Sequence, residues 1–346
     1  CMPKRTTLAP GYHKIKPGVS YLKKSILRLF SACIIAVSLC ALISNPSGAS
    51  NAVRDGLNTC AKIIIPSLLP FFFISGFISS MGFAEDLARL IKKSFKKIPF
   101  TLAYAFTPFI LGILGGYPIG ASAISSLVKD KRISEKQGEK LLPICNNTGP
   151  AFIIGAVGGG IFSSVRSGLL LYFCHIGAAL ILALLFFPRS PCNKAEISAN
   201  NSNCPAIFKV LPVCVKGALD KCFSICGFVI FFAVIREIMT QLGIMGFITL
   251  ALNNFSGIEI SKCKCLIYGI MELGGGIASM NGLSLCPFNL ALAAFILGFG
   301  SLSVHCQALA VTAETNIKCA RHFIGRILHG VISALLVYSL GTMLRI

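Results

Sequence analysis

Long uncharged runs dominate the chain, and its polar residues fall between them in short basic clusters. The runs cover residues 29–53, 63–84, 98–128, 141–165, 167–188, 222–235 (continuing past Arg236 and Glu237 to about 243), 273–313 and 327–344. A helix needs about 20 apolar residues to cross the hydrocarbon core of a bilayer. The apolar stretches are continuous rather than alternating, which favours helices over a barrel. The pattern predicts an all-α polytopic membrane protein with about eight or more membrane segments.

Helix breakers interrupt four of these runs. The first is cut at Asn45-Pro46-Ser47-Gly48, leaving a first transmembrane helix over 26–43. Run 98–128 is too long for one span and too short for two with a loop. Its stretch Gly115-Gly116-Tyr117-Pro118 should break it. Run 141–165 holds Asn146-Asn147-Thr148-Gly149-Pro150, and run 273–313 holds Gly274-Gly275-Gly276 and Cys286-Pro287. In that last run Gly298 to Gln307 again places small and polar groups inside apolar sequence. Non-helical backbone at membrane depth is tolerated only where protein buries it or where it lines a wet cavity. A helix restarting at Pro150 has proline where it is best placed, and bare N–H groups that favour an anion.

The basic loops orient the chain. Residues 1–28 carry seven Lys or Arg, 85–99 five, 129–140 five and 188–216 four. Placing all four in the cytoplasm follows the positive-inside rule. The helix near 57–84 and the helix near 217–243 then run in opposite directions. Both end in Met-Gly-Phe, at 81–83 and 245–247, and Gly112-Ile113-Leu114 has a counterpart in Gly269-Ile270-Met271. The expected organisation is a basic cytoplasmic N-terminus (1–25), the first helix (26–43), repeat 1 (56–188), a cytoplasmic linker (189–216) and an inverted repeat 2 (217–343). The first apolar run lacks a small-residue cleavage site and reads as an anchor.

Composition supports the class. The 346 residues are 55% hydrophobic and 13% charged, with a mean hydropathy of +0.78. The net charge of +20 lies in the loops and needs no nucleic acid to explain it. Most of the 16 cysteines sit in apolar runs as small buried hydrophobes, in keeping with a reducing setting. Cys263-Lys264-Cys265 lacks the spacing of a zinc site, and no metal site is expected. No Gly-x-Ser-x-Gly or His-Glu-x-x-His motif is present, so no catalytic residue and no enzyme is expected.

The stretches GGYPIGA (115–121), NNTGPAFIIG (146–155) and GFGSLSVHCQ (298–307) resemble the nucleoside-recognition, or Gate domain, membrane proteins. Within them the chain is similar to the YlbJ-type sporulation integral membrane proteins of endospore formers, over roughly residues 26–343. The resemblance implies an architecture similar to concentrative nucleoside transporters, with re-entrant hairpins and unwound helices around a central site. It also implies a carrier of dipicolinic acid in the outer forespore membrane. The glycine clusters depart from the acidic and polar signatures of nucleoside carriers, which argues against a nucleoside cargo.

Candidate residues follow from the breaks. Asn146, Asn147, Thr148, Gly149, Ser301, Ser303, His305 and Gln307 are the candidate solute ligands. Arg236 joins them, because its planar fork suits a carboxylate. Glu272 and Glu237 are intramembrane carboxylates for a coupling proton or cation such as sodium. Gly115, Gly116, Pro118, Gly274, Gly275 and Gly276 are the candidate hinges. Glu314, Arg321 and Arg326 read as interfacial charges at the outer edge of the last span. No cofactor is expected; the partners are a small solute and the lipid bilayer, and a homo-oligomer is left open. The alternatives are a nucleoside transporter and a non-transporting membrane assembly protein needed for spore formation.

Overall fold

The computed structural model describes residues 17–94, 100–186 and 207–346. Helix α1 (Pro17–Ser44) is followed by α2 (Pro46–Thr59), a π-helical turn (Cys60–Ile64), α3 (Ile65–Ser80) and α4 (Phe83–Ser94). Next come α5 (Phe100–Gly115), α6 (Ile119–Lys129), α7 (Glu135–Cys145), a π-helical segment (Ala151–Ile161) and α8 (Val165–Phe186). After residue 206 the chain forms α9 (Ile207–Gln241), α10 (Ile244–Ser256), α11 (Ile260–Met271) and α12 (Leu273–Ala278). It ends with α13 (Pro287–Phe299), α14 (Ser301–Thr312) and α15 (Ala320–Met343). No strand occurs among the described residues, and the chain is an all-α, multi-pass membrane protein.

Five helices are long and apolar enough to cross a membrane, and a sixth span arises if the pair Pro46–Ile64 and Leu68–Ile78, bent by 57°, counts as one. The expected eight segments are reached only by adding shorter apolar helices such as Ile119–Lys129 and Ala151–Ile161. Large apolar side chains stand outward along these helices, among them Ile35, Phe173, Leu184, Phe208 and Phe231. Outside a bilayer that surface would be costly; inside one it is matched to the solvent.

Packing contacts define two ends. The Gly76 backbone meets Cys214, Gly56 meets Ile230, and Gly48 meets Glu237, so α2 and α3 run antiparallel to α9. Ser80, Asp130 and the start of α9 therefore share one end. The chain returns to that end at Glu314, whose carboxylate accepts from Lys129, and at Asn316, whose amide donates to Glu135 at 2.9 Å. Lys129, Lys131, Arg132, Lys136 and Lys216 make this the basic end. At the opposite end Met280 packs with Val157, Phe162 and Ile346.

Each half of the chain holds a short helical hairpin followed by a broken crossing. In the first half α5 comes from the basic end to mid-depth, breaks at Gly116–Pro118, and α6 returns to the basic end at Lys129. Then α7 descends from that end, breaks at 146–149, and continues as the π-helical segment to the opposite end. In the second half α11 comes inward from the opposite end, breaks at Glu272, and α12 turns back, with the Cys265 thiol donating to Ser279 O at 3.2 Å. Then α13 and α14 cross with a break at Gly300, reaching the basic end near Glu314. None of these broken pieces alone reaches a full span.

Glycine permits both hairpins. A Cβ on Gly112 or Gly120 would fall onto the Cys145 carbonyl oxygen, and one on Gly276 would fall onto the Gly269 Cα. Close backbone approach of this kind is how helices gain packing energy in lipid, where apolar burial contributes little.

Several expectations change. Gly274-Gly275-Gly276 does not break the helix; it lies inside α12, and the break is the extended residue before it, Glu272 (φ −146°, ψ 127°). Residues 207–216, read as linker, form the start of α9, and 17–25, read as the N-terminal tail, form the start of α1. The other linker residues at 189–206, and the tail at 1–16, lie outside the described residues. The basic stretch 129–140 is a turn followed by the start of α7. Its turn ends at Ser134, which accepts from the Gln137 N–H at 3.3 Å in a capping box, and α7 then runs inward to Cys145.

Glu314 is set in the 313–319 loop beside Lys129, and the hydrogen bond and charge of Lys129 hold its carboxyl below the usual glutamate range. The folded carboxyl binds a proton less readily than the unfolded one. The contact therefore contributes above the unfolded value, about 4.3, and is lost as pH falls through the lowered one. Hydrogen-exchange protection of residues 313–319 is expected to fall as pH drops from about 5 through the lowered value. In Glu314→Gln it should be low and flat, and equal protection of both proteins across that range would contradict the assignment.

Candidate functional site

The four breaks meet at one cavity. It has a volume of about 80 Å³ and is lined by Gly115, Gly116 and Tyr117 from the first break and Thr148 and Gly149 from the second. Glu272, Leu273 and Gly274 come from the third, and Val304 and Gln307 follow the fourth. A water needs about 10–15 Å³ by this measure, so the space holds several. Its remaining wall is apolar apart from Thr59, with Leu68 and Phe71 on α3 and Ile225 and Val229 on α9.

Backbone geometry explains why these positions are glycine. Gly116 (φ +81°) and Gly300 (φ +89°) occupy the left-handed region, where a side chain is strained. A Cβ on Gly116 would also lie 2.9 Å from the Gly149 nitrogen, and one on Gly300 would lie 2.8 Å from the Tyr117 hydroxyl. The first break therefore touches the second and the fourth directly.

Behind Tyr117 and Thr148 lies Arg326 of α15, with no exposed surface. Its guanidinium donates to the Tyr117 hydroxyl, to the His329 Nδ1, to Asn147 Oδ1 at 3.3 Å and, at the limit of bonding distance, to Pro143 O at 3.5 Å. Its side-chain Nε has no partner. Tyr117 in turn donates to Leu297 O at 3.1 Å, and Thr148 Oγ1 donates to the same carbonyl at 3.0 Å. One cation thus ties α7, α15 and the first break together, and through Tyr117 it reaches the end of α13. No carboxylate lies within salt-bridge distance of Arg326 among the described residues. A buried charge without a counter-charge is expensive, and inside a membrane it is by default a functional feature.

Two histidines extend the network. The Thr148 N–H donates to His175 Nε2 at 3.1 Å. Because His329 Nδ1 accepts from Arg326, its Nε2 carries the proton and donates to His175 O at 2.9 Å. The two rings lie 4.3 Å apart, centre to centre.

Glu272 is buried and accepts from the amides of Gly274, at 2.8 Å, and Gly275. Its carboxylate occupies the N-terminus of α12, so that terminus is already filled by the chain's own anion. The glycines of α12 let neighbours come close: a Cβ on Gly275 would fall onto the Arg236 guanidinium.

The sequence-derived candidates divide accordingly. Thr148, Gly149, Gly115, Gly116, Glu272, Gly274 and Gln307 line the cavity. Asn147 stands behind it as a ligand of Arg326, and Asn146 is fully buried with no protein partner for its amide. Ser303 accepts from Gln307 Nε2 at 3.3 Å, and Ser301 accepts from the Val304 N–H. The ring of His305 packs among Phe299, Phe323 and His322, away from the lining. Arg236 stacks over the Tyr268 ring at 5.2 Å, and Glu237 holds Gln241 and faces Gly48. Pro118 leads into α6. Cys263 and Cys265 donate to different carbonyls, Ile258 O and Ser279 O.

Arg326 overturns the reading of an interfacial charge, and Glu314 and Arg321 fall at the basic end rather than at an outer edge. Tyr117, His175 and His329 were also not singled out. A signal existed: His322, Arg326, His329 and Ser333 recur on one face of a helix, and all are buried.

Comparison with known proteins gives one informative likeness. The chain is 26% identical over 326 residues to the sporulation integral membrane protein YlbJ of Bacillus subtilis (strain 168), covering 86% of this chain and 79% of that protein. No family model matches the chain, and no solved structure matches it.

Proposed function

We propose that the protein is a secondary transporter of a small anionic solute in the membranes of a sporulating cell. The observation that carries the reading is the meeting of four helix breaks at one cavity backed by Arg326, a buried cation with no carboxylate within salt-bridge distance among the described residues. Broken helices facing a shared cavity near the membrane midplane are the usual site of substrate and coupling ion in carriers built from inverted repeats. The hairpin and broken crossing in each half, entering once from each end, support that organisation here. Alternating access would move one bundle against the other around the breaks.

The solute's anionic end would face Tyr117 and Thr148, with Arg326 behind them. Its apolar body would lie against Leu68, Phe71, Ile225 and Val229. Glu272, on the far side of the cavity, would take the coupling proton or cation. The likeness to a sporulation membrane protein supports a role in spore formation, with the basic end in the cytoplasm. We take dipicolinic acid, planar and doubly carboxylated, as the cargo, and the outer forespore membrane as the site.

Ligand binding to purified protein tests the reading. At about 100 times its Kd a ligand stabilises the folded state by about 2.7 kcal/mol. Dipicolinate is expected to raise the melting temperature, uridine to leave it unchanged, and Thr148→Val to remove the shift. A shift with uridine alone would replace the cargo. Equal dipicolinate shifts in wild type and Thr148→Val would remove the site from this cavity.

A further inference from the structure

A second, larger cavity of about 200 Å³ lies between α3, α5, α6 and α9, towards the basic end. The same four helices or their connections also wall the central cavity, one or two turns deeper. On α9 the lining passes from Cys214 and Lys221 to Ile225 and Val229; on α5 it passes from Thr107 and Leu111 to Leu114. Between the two spaces Phe72, Ile119, Cys222 and Ile225 pack into one apolar cluster. A dry constriction between wet spaces is a gate by dewetting.

The outer cavity has its own chemistry. Lys221 lines it half-buried, and no carboxylate lies within salt-bridge distance of its ammonium among the described residues. Asp130 lines the same space but is exposed at the end of α6, beside Lys129 and Lys131, where solvent and neighbouring cations screen it. Thr107 is only 6% exposed, lines the cavity, and its hydroxyl has no hydrogen-bond partner. Buried hydroxyls are normally satisfied, so an unused one on a residue of the cavity wall marks a place for a ligand or water once the wall relaxes by a fraction of an ångström. Ser122 and Ser126 add further hydroxyls to the wall.

We infer that this cavity is a vestibule in which an anionic solute is held by Lys221 and Thr107 before passing the Phe72–Ile119–Ile225 constriction to the central site. The inference rests on the transporter reading for its purpose, but the vestibule's charge preference can be measured without any cargo. Focusing of anions by a cation in a low-dielectric cleft raises their local concentration and their rate of entry.

Cys214, in the wall of the vestibule, is the reporter. The full-length protein in proteoliposomes is treated at low ionic strength with an anionic (sulfonatoethyl) or a cationic (trimethylammonioethyl) methanethiosulfonate, and labelling is followed cysteine by cysteine by mass spectrometry. The anionic reagent is expected to modify Cys214 about 10-fold faster than the cationic one, while Cys222 and Cys226 in the constriction stay unmodified. Lys221→Gln should bring that ratio close to one, Lys221→Arg should keep it, and the ratio at Cys33 in α1 should not change. A faster cationic reaction, a ratio insensitive to Lys221→Gln in folded protein, or a Cys214 inert to both reagents would overturn the vestibule. Failure of dipicolinate to bind, with the charge preference intact, would overturn the cargo and leave the vestibule standing.

Discussion

Replacing Arg326 with Gln is expected to cut solute uptake about 100-fold while the protein still inserts in the membrane. The guanidinium supplies the donors to Tyr117 and Asn147, which hold the first and second breaks in place. A hydrogen bond from a charged group contributes about 1.5–3 kcal/mol, so losing about 3 kcal/mol at the site gives the stated factor. Glutamine restores neither the charge nor the fork that spans Tyr117 and Asn147. Arg326→Lys keeps the charge but offers a compact ammonium in place of a planar fork, and uptake should recover only in part. Uptake by reconstituted variants, normalised to inserted protein, reads both. Full activity in Arg326→Gln would remove the cation from the site. A collapse in abundance of both variants would assign it to assembly instead.

Gly120→Ala is expected, like Gly112→Ala, to be among the most damaging single methyls in the first hairpin. The added carbon falls onto the Cys145 carbonyl, and that oxygen belongs to the last turn of α7, which the second break depends on. Overpacking of a tight interface costs about 1–3 kcal/mol, and more where backbone must move. Domains are stable by only about 5–15 kcal/mol in all, so the monodisperse yield in detergent should fall severalfold. Gly155→Ala is the control, because its Cβ would meet nothing within 4 Å. Equal yields for the two variants would show that α5, α6 and α7 do not pack as described.

Much of the fold was legible from apolar run length and helix breakers. Gly115 to Pro118, Asn146 to Gly149, and Gly300 within the Gly298–Gln307 stretch mark the helix breaks, and such breaks stand at membrane depth only where protein, not lipid, surrounds the freed backbone groups. The triple glycine at 274–276 misled for a physical reason. Glycine weakens a helix by about 1 kcal/mol relative to alanine, but here Glu272 caps the segment, and the missing side chains make room for Thr59, Arg236 and Gly269. Arg326 was missed because the last uncharged run begins at 327, which makes the charge look like a boundary. Reading α15 by its helical face rather than by its run would have placed His322, Arg326 and His329 together. The vestibule was beyond sequence reading, since Thr107, Asp130 and Lys221 come from elements that only the fold brings together.

The two cavities give the account a direction. A cavity of about 200 Å³ towards the basic end and a central space of about 80 Å³ share the apolar cluster of Phe72, Ile119 and Ile225 between their linings, so the described state is narrow at the centre and wider towards the basic end. Accepting a planar dicarboxylate would require the breaks around Gly116, Gly149, Glu272 and Gly300 to part. Gly116 and Gly300 hold left-handed backbone at two of those breaks.

Flux is the most direct test of the central claim. Purified protein in proteoliposomes should take up radiolabelled dipicolinate saturably, and an imposed proton or sodium gradient should drive accumulation that Glu272→Gln uncouples. Uridine in parallel should not be taken up. Dipicolinate and uridine both failing to cross, with folded protein present in both orientations, would contradict the carrier and leave a membrane component of sporulation that moves neither.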